Sequence, residues 1–282
     1  METSDTSRDT AAGVSEAPDW FRLDGRVAVV TGAAAGIGRA CALALGRFGA
    51  DIVANDRDMA GLDSLATELG VLGRRCLTEV LDVRDTDAVA SHAAAVAASF
   101  SVIDVLVNNA GGGFVAPFVD VSAKGQDSLV RENFTSVTNF VRAFVPMMPA
   151  GRGGSIVNMT SIEAHRAAPG FAVYSAMKAA VASLSKSLAL ELGPRLIRVN
   201  CIAMDVIPTP GLGNPDFGTR TPLPVRGTVD DVAAACVYLA SDASRFVTGS
   251  TIHVDGGNLA AGGWIRHADG SYGTGVEAPA VP

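Results

Sequence analysis

Seven short apolar runs, each set apart by a longer stretch rich in alanine and leucine, constrain this chain more than any other feature. The runs are "RVAVVTG", "DIVAND", "RCLTEVLD", "VIDVLVNNAG", "GSIVNMTS", "IRVNCIAM" and "STIHVDGG". Between them lie helical patterns such as "GRACALALGRFG", "MAGLDSLATELG", "TDAVASHAAAVAASF" and "VYSAMKAAVASLSKSLALELG". The runs are apolar at consecutive positions, not at every second one. A strand of that kind has two faces to bury, and a parallel sheet covered by helices on both sides buries them. The alternation predicts an α/β fold, a doubly wound parallel sheet of about seven strands in a single domain. Ligands of such a sheet bind beyond the carboxyl ends of its strands.

No repeat or linker divides the chain. Residues 1–20, rich in Ser, Thr, Asp and Ala, are expected to form a flexible extension, residues 21–260 the domain, and residues 261–282 a tail. Within the domain, "DVIPTPGLGNPDFGTRTPLPVRGT" is too rich in Pro and Gly for a regular element. It reads as a substrate loop over residues 205–228 or as a plain surface connection. A formal charge of −7 argues against nucleic acid or an anionic membrane as the main partner. The four cysteines, Cys41, Cys76, Cys201 and Cys236, form no CxxC pair, and the four histidines are scattered. Buried thiols are expected, with no metal site and no disulfides. The polar N-terminus lacks an apolar signal core, and no run reaches transmembrane length, so the expectation is a cytoplasmic protein.

"TGAAAGIG" follows the first strand and opens the first helix. Gly32 allows the sharp turn, Gly36 lets backbone approach a pyrophosphate, and Gly38 allows close packing. The helix N-terminus offers free N–H groups to the phosphates. Strand, turn and helix in that order make this a Rossmann-type dinucleotide site, with Gly32, Ala35, Gly36, Ile37 and Gly38 at the cofactor. Asp56 closes the second strand, where a carboxylate hydrogen-bonds the ribose hydroxyls and repels a 2′-phosphate; a helix N-cap is its other reading. NAD is therefore expected over NADP. Arg57, next in the chain, softens that preference.

Tyr174 and Lys178 stand four residues apart, on one face of a helix. Reduction of a ketone needs a proton donor at the developing alkoxide, and oxidation needs the same group as a base. A nearby ammonium and an oxidised nicotinamide would favour the phenolate. Ser161, at the end of "GSIVNMTS", is placed to orient the substrate oxygen.

With TGxxxGxG at residues 31–38 stand "LDV" at 81–83, "NNAG" at 108–111 and Asn133 in "ENFTS". Ser161, YxxxK at 174–178, "IRVN" at 197–200 and "VDGG" at 254–257 complete the set. In this the sequence resembles the short-chain dehydrogenase/reductase family from about residue 26 to residue 257. The resemblance implies a catalytic tetrad of Asn133, Ser161, Tyr174 and Lys178, with Asn133 holding a water that relays protons to Lys178. It also implies that Asp82 meets the adenine amine, Val83 the ring, and Asn109, Ala110 and Gly111 the adenosine and ribose side. Ile207 and Thr209 would hold the nicotinamide carboxamide. A homotetramer follows from the same resemblance, with apolar helices around residues 127–149 and 173–192 as its interface.

There are departures from the family pattern. Met204 and Asp205 replace the usual Pro-Gly, and Glu163 stands where many members have a small residue, with His165 beyond it. Glu163 and His165 either enter the substrate pocket or lie at its rim. Phe114, Phe171, Met204, Leu212 and Phe217 are candidates for an apolar lining, with Asp205 close by. The expected reaction is NAD-dependent interconversion of a secondary alcohol and a ketone, on a hydrophobic or cyclic substrate. The alternatives are a 3-oxoacyl thioester reductase and a dinucleotide-sensing protein without turnover.

Overall fold

All seven runs form strands: β1 (Val27–Thr31), β2 (Asp51–Asp56), β3 (Cys76–Val80), β4 (Val105–Asn108), β5 (Gly154–Met159), β6 (Ile197–Met204) and β7 (Thr251–Val254). They pair in parallel in the order β3-β2-β1-β4-β5-β6-β7. The computed structural model describes residues 19–149, 151–212, 221–267 and 269–274. Most of the expected N-terminal extension, the end of the tail and Phe217 lie outside the described residues.

The helices are α1 (Gly36–Arg47), α2 (Met59–Val71), α3 (Thr86–Ser99), α4 (Ala123–Val130), α5 (Ser136–Phe144), α6 (Ala172–Leu192), α7 (Val229–Ala240) and α8 (Asn258–Ala261). Leu45 of α1, Leu65 of α2 and Val232 of α7 pack with Val30, Ile52 and Ile202 on one face of the sheet. Val96 of α3, Phe140 of α5 and Val181 of α6 pack with Val29, Val53 and Val199 on the other. Neighbouring strand residues such as Val29 and Val30 thus enter opposite cores, as the strand period of two requires. Burial on both faces holds for the central strands, whereas β3 at one edge and β7 at the other are only partly covered.

Two local features were not foreseen in the sequence pattern. Helix α7 is absent from the expected helices, although "TVDD" carries its start signal: Asp231 accepts hydrogen bonds from both Thr228 N and Thr228 Oγ1 at 2.8 Å. The apolar stretch around residues 127–149 is not one helix. A π-turn, Arg131–Thr135, separates α4 from α5, and Asn133 Nδ2 donates to the Leu129 carbonyl at 3.0 Å inside it. The extra residue rotates Asn133 inward, where it is fully buried. Within the tail, β8 (Ile265–Arg266) and β9 (Tyr272–Gly273) form a short antiparallel pair.

Cys41, Cys201 and Cys236 are buried free thiols, and Cys76 is half-buried. Among the described residues no helix is long and apolar enough to cross a membrane, and no cluster of His, Cys, Asp and Glu could hold a metal.

His92 of α3 is buried against Phe140 and Phe144, and neither ring nitrogen has a hydrogen-bond partner among the described residues. Burial pushes its pKa down to about 4. The unfolded chain therefore binds the extra proton between about pH 6.5 and 4, and stability falls as pH falls through that window. His92→Leu is expected to remove about 1–2 kcal/mol of the stability lost between pH 7 and pH 5. Urea titrations of both proteins at the two pH values check this; equal losses would contradict it.

Candidate active site

The strand order reverses direction at β1 and β4, and the crevice this opens is where the sequence motifs converge. Thr31, the last residue of β1, closes its base. Its Oγ1 accepts hydrogen bonds from Asn109 N and Ala110 N, both at 2.9 Å. Asn109 Nδ2 returns bonds to the carbonyls of Thr31 and Gly32 at 2.9 and 3.1 Å. "NNAG" and the glycine turn are thereby one unit. A Cβ on Gly38 would stand 2.1 Å from the Gly32 carbonyl oxygen, so α1 can approach the turn only with glycine there. Helix α1 has no side-chain cap and no acidic residue in its first turn, leaving its N–H groups open to an anion.

Of the residues assigned to the cofactor, all but Gly38 and Ile207 line one cleft of about 400 Å³. Gly38 packs beneath the turn, and the Ile207 side chain is buried in the core. Asp56 is not the N-cap of α2; that position is held by Asp58. Its carboxylate instead accepts from Ala34 N at 3.1 Å, Arg57 N at 2.7 Å and Asp58 N at 3.2 Å, which fixes it at the cleft. Asp82 is gripped by Arg84, whose Nε and Nη2 reach its oxygens at 3.0 and 2.5 Å and hold its carboxyl below the usual range. Arg84 follows "LDV" directly but carries no motif of its own, so sequence reasoning passed over it.

At the other end of the cleft the tetrad candidates come together. Lys178 is buried and its Nζ donates to the Met159 carbonyl at 3.0 Å. Burial pushes its pKa down to about 8. The ammonium lies 5.6 Å from the centre of the Tyr174 ring. Burial raises the Tyr174 phenol pKa, the Ser161 hydroxyl opposes that rise, and the charge of Glu163 adds to it. The phenolate expected from the neighbouring ammonium is thus not favoured by the protein alone. Asn133 Nδ2 donates to the Gly112 carbonyl at 2.8 Å and its Oδ1 accepts from Gly112 N at 3.2 Å. A Cβ on Gly111 would meet Asn133 Oδ1 at 2.8 Å and Lys178 Nζ at 3.0 Å, so the two side chains flank that glycine.

The residues named for the substrate do not form one apolar pocket. Phe171 stacks edge-on to Tyr174 with ring centres 6.0 Å apart, and Met204 lines the cleft. Phe114 and Leu212 are exposed. Glu163 is held by Arg166 at 2.8 Å, while His165 meets His253 edge-on at 5.0 Å. Asp205 faces a second, larger cavity together with Arg166, Ile207, His253 and Asn258. Arg166 was missed for lack of a motif; its pairing with Glu163 appears only once the turn after β5 is folded.

Comparison with known proteins gives the family. A family model described as enoyl-(acyl carrier protein) reductase matches residues 32–258. D-threitol dehydrogenase of Mycolicibacterium smegmatis is 40% identical, over 84% of this chain and 94% of that protein. The chain belongs to the short-chain dehydrogenase/reductase family. Among solved members of the family, carveol dehydrogenase from Mycobacterium avium, in complex with NAD, is 34% identical. It has a TM-score of 0.80, covering 85% of this chain and 99% of that one. Gluconate 5-dehydrogenase from Burkholderia cenocepacia, in complex with NADP and tartrate, is 35% identical with a TM-score of 0.80, covering 86% and 98%.

Thr31→Val keeps the side-chain volume but leaves two backbone N–H groups without their acceptor, at a cost of about 1–3 kcal/mol. A lower Tm and weaker binding of a nicotinamide dinucleotide are expected for this variant, with Thr31→Ser restoring both. Thermal melts and fluorescence titration check it; a Val variant with wild-type binding would remove Thr31 from the architecture of the cleft.

Proposed function

We propose that the chain is an NAD(H)-dependent oxidoreductase that interconverts a secondary alcohol and a ketone on a hydrophobic or cyclic substrate, with Tyr174 as general acid and base. The observation that carries the reading is the clustering of Ser161, Tyr174 and the buried Lys178 at one end of a cleft whose other end is an uncapped helix N-terminus. The residues present fit a dinucleotide: the glycine turn for the pyrophosphate, Asp56 for the adenosine ribose, Asp82 and Val83 for adenine, and Thr209 toward the nicotinamide. Bound NAD(H) supplies the hydride donor or acceptor.

In reduction, Tyr174 gives its proton to the carbonyl oxygen as that oxygen gains negative charge, and Ser161 donates a hydrogen bond to the same atom. In oxidation the proton passes from the alcohol to Tyr174. Lys178 stabilises the phenolate left after reduction and binds the nicotinamide ribose. Asn133, beside Lys178 across Gly111, holds the water through which Tyr174 is reprotonated. Asp56 is fixed by three backbone N–H groups, and a fixed carboxylate repels a 2′-phosphate. This supports NAD over NADP, as does the NAD named with carveol dehydrogenase; Arg57 and the NADP named with gluconate 5-dehydrogenase weigh the other way.

The description of the matching family model favours a second reading, reduction of a thioester-linked acyl group. Asp56 and the net charge of −7 weigh against it, since an acidic carrier would meet an acidic protein. The full reading includes a homotetramer in the cytoplasm; Leu190 of α6, 80% exposed, is one apolar residue that such an assembly would cover.

Initial rates with NADH and NADPH across alicyclic ketones, polyols and acetoacetyl thioesters test the reading directly. NADH-linked turnover of alicyclic ketones is expected, and NADPH-linked turnover of thioesters alone would overturn it. Tyr174→Phe should lower kcat by about 10²-fold or more with NADH binding retained. Oxidation should speed up as pH rises, because the proton must leave a phenol whose pKa burial raises, and reduction should slow above about pH 8 as Lys178 loses its charge. Flat profiles in both directions would exclude this pair from the proton transfer.

A further inference from the structure

The loop after β3 brings Leu81, Asp82 and Val83 to the wall of the dinucleotide cleft. Arg84, next in the chain, turns its side chain to Asp82 and to α4 instead. Its backbone N–H donates to Asp82 Oδ1 at 2.9 Å, and its Nε bridges both carboxylate oxygens at 3.0 Å. Nη2 donates to Oδ2 at 2.5 Å, so the guanidinium meets the carboxylate at two points.

The grip is itself anchored. Arg84 Nη1 donates to Ser128 Oγ of α4 at 3.0 Å, and the Arg84 carbonyl accepts from Arg131 Nη2, at the start of the π-turn, at 2.9 Å. On the other side, Leu81 N donates to the Asp56 carbonyl at 3.0 Å and Asp85 N to the Asp82 carbonyl at 2.9 Å. Asp85 then caps α3, accepting from Asp87 N and Ala88 N at 3.0 Å. The stretch from Leu81 to Asp85 is thereby tied to β2, α3 and α4. The Asp82 side chain is 34% exposed, yet its orientation is set by a partner that three elements hold.

Two properties of Asp82 follow. The Arg84 hydrogen bonds hold its carboxyl below the usual range against the opposing effect of burial, and the charge of Arg57 adds to them. At neutral pH Asp82 is therefore an acceptor only. Its roughly four lone-pair sites face three donors from Arg84, which leaves room for one more. The amine of adenine is such a donor. A 6-oxopurine presents a carbonyl oxygen at the same place, and two acceptors there have no proton between them.

We propose that Arg84 is a positioning residue for the base end of the dinucleotide: it holds the Asp82 carboxylate as a fixed acceptor for the adenine amine and so selects adenine over a 6-oxopurine. The proposal rests on the dinucleotide reading above, and Arg84 acts through Asp82 without touching the reacting atoms.

Fluorescence titration with NADH and with reduced nicotinamide hypoxanthine dinucleotide, in which an oxo group replaces the adenine amine, reads this selection without a substrate. The wild type is expected to bind NADH about tenfold more tightly or better, the scale of one hydrogen bond to a charged group. Arg84→Ala should bring the two affinities to within about threefold, mostly by weakening NADH. Arg84→Lys keeps a charge but not the two-point geometry, and its ratio should fall between the other two; it decides the matter if the alanine variant does not fold. A ratio left at the wild-type value, whatever happens to Tm or to both affinities together, would overturn the role of Arg84 and leave the dinucleotide reading standing. Equal binding of the two by the wild type would remove the contact between Asp82 and the amine, and the role of Arg84 with it. Binding of neither would overturn the dinucleotide reading as well.

Discussion

The parting of β1 and β4 is the constraint on which the rest of the molecule depends. Successive strands are laid outward from β1 on one side and outward from β4 on the other, so connections leave the two central strands in opposite directions. No crossover covers the gap at their carboxyl ends. The Thr31 hydroxyl and the Asn109 amide bind the two strand ends to each other and leave the space above them open. The glycine turn and the Asp56 carboxylate border that space because each sits at or just beyond a strand end, and Lys178 of α6 reaches it with its ammonium on the Met159 carbonyl at the end of β5.

The cleft carries its own energetic cost. Lys178 is an ammonium taken out of water with one direct hydrogen bond among the described residues, and burial pushes its pKa down to about 8 by disfavouring the charged form. Between about pH 8 and 10.5 the unfolded chain holds that proton more tightly, so this group alone makes stability rise with pH. Well-packed α/β cores on both sheet faces offset such a cost, and the π-turn that buries Asn133 beside the lysine is a second departure from regular structure at the same place.

The parallel sheet was legible because apolar residues at consecutive positions leave a strand no exposed face, and the tight turn after β1 because glycines stand at fixed offsets after a strand. That Tyr174 and Lys178 come together on one helix was legible through their spacing. What the sequence hid are contacts that form only once the chain has folded, some across a local turn and some between distant segments. Arg84 gripping Asp82 needs the turn after β3, and Asn258 reaching Asp205 spans the return from β7 to β6. The apolar substrate lining was drawn too simply: Phe114 and Leu212 point outward, and Asp205 faces a cavity walled partly by a tail that showed little pattern. Helix α7 was hidden by its position behind a sequence rich in Pro and Gly, although its capping residues were in plain view.

Transfer of deuterium from NADH labelled at the nicotinamide C4 to an alicyclic ketone tests the central claim most directly. The account predicts that one face of the labelled cofactor delivers deuterium to the carbinol carbon of the product, with none lost to solvent. Binding of labelled NADH without any label appearing in product, across ketones and thioesters alike, would contradict it.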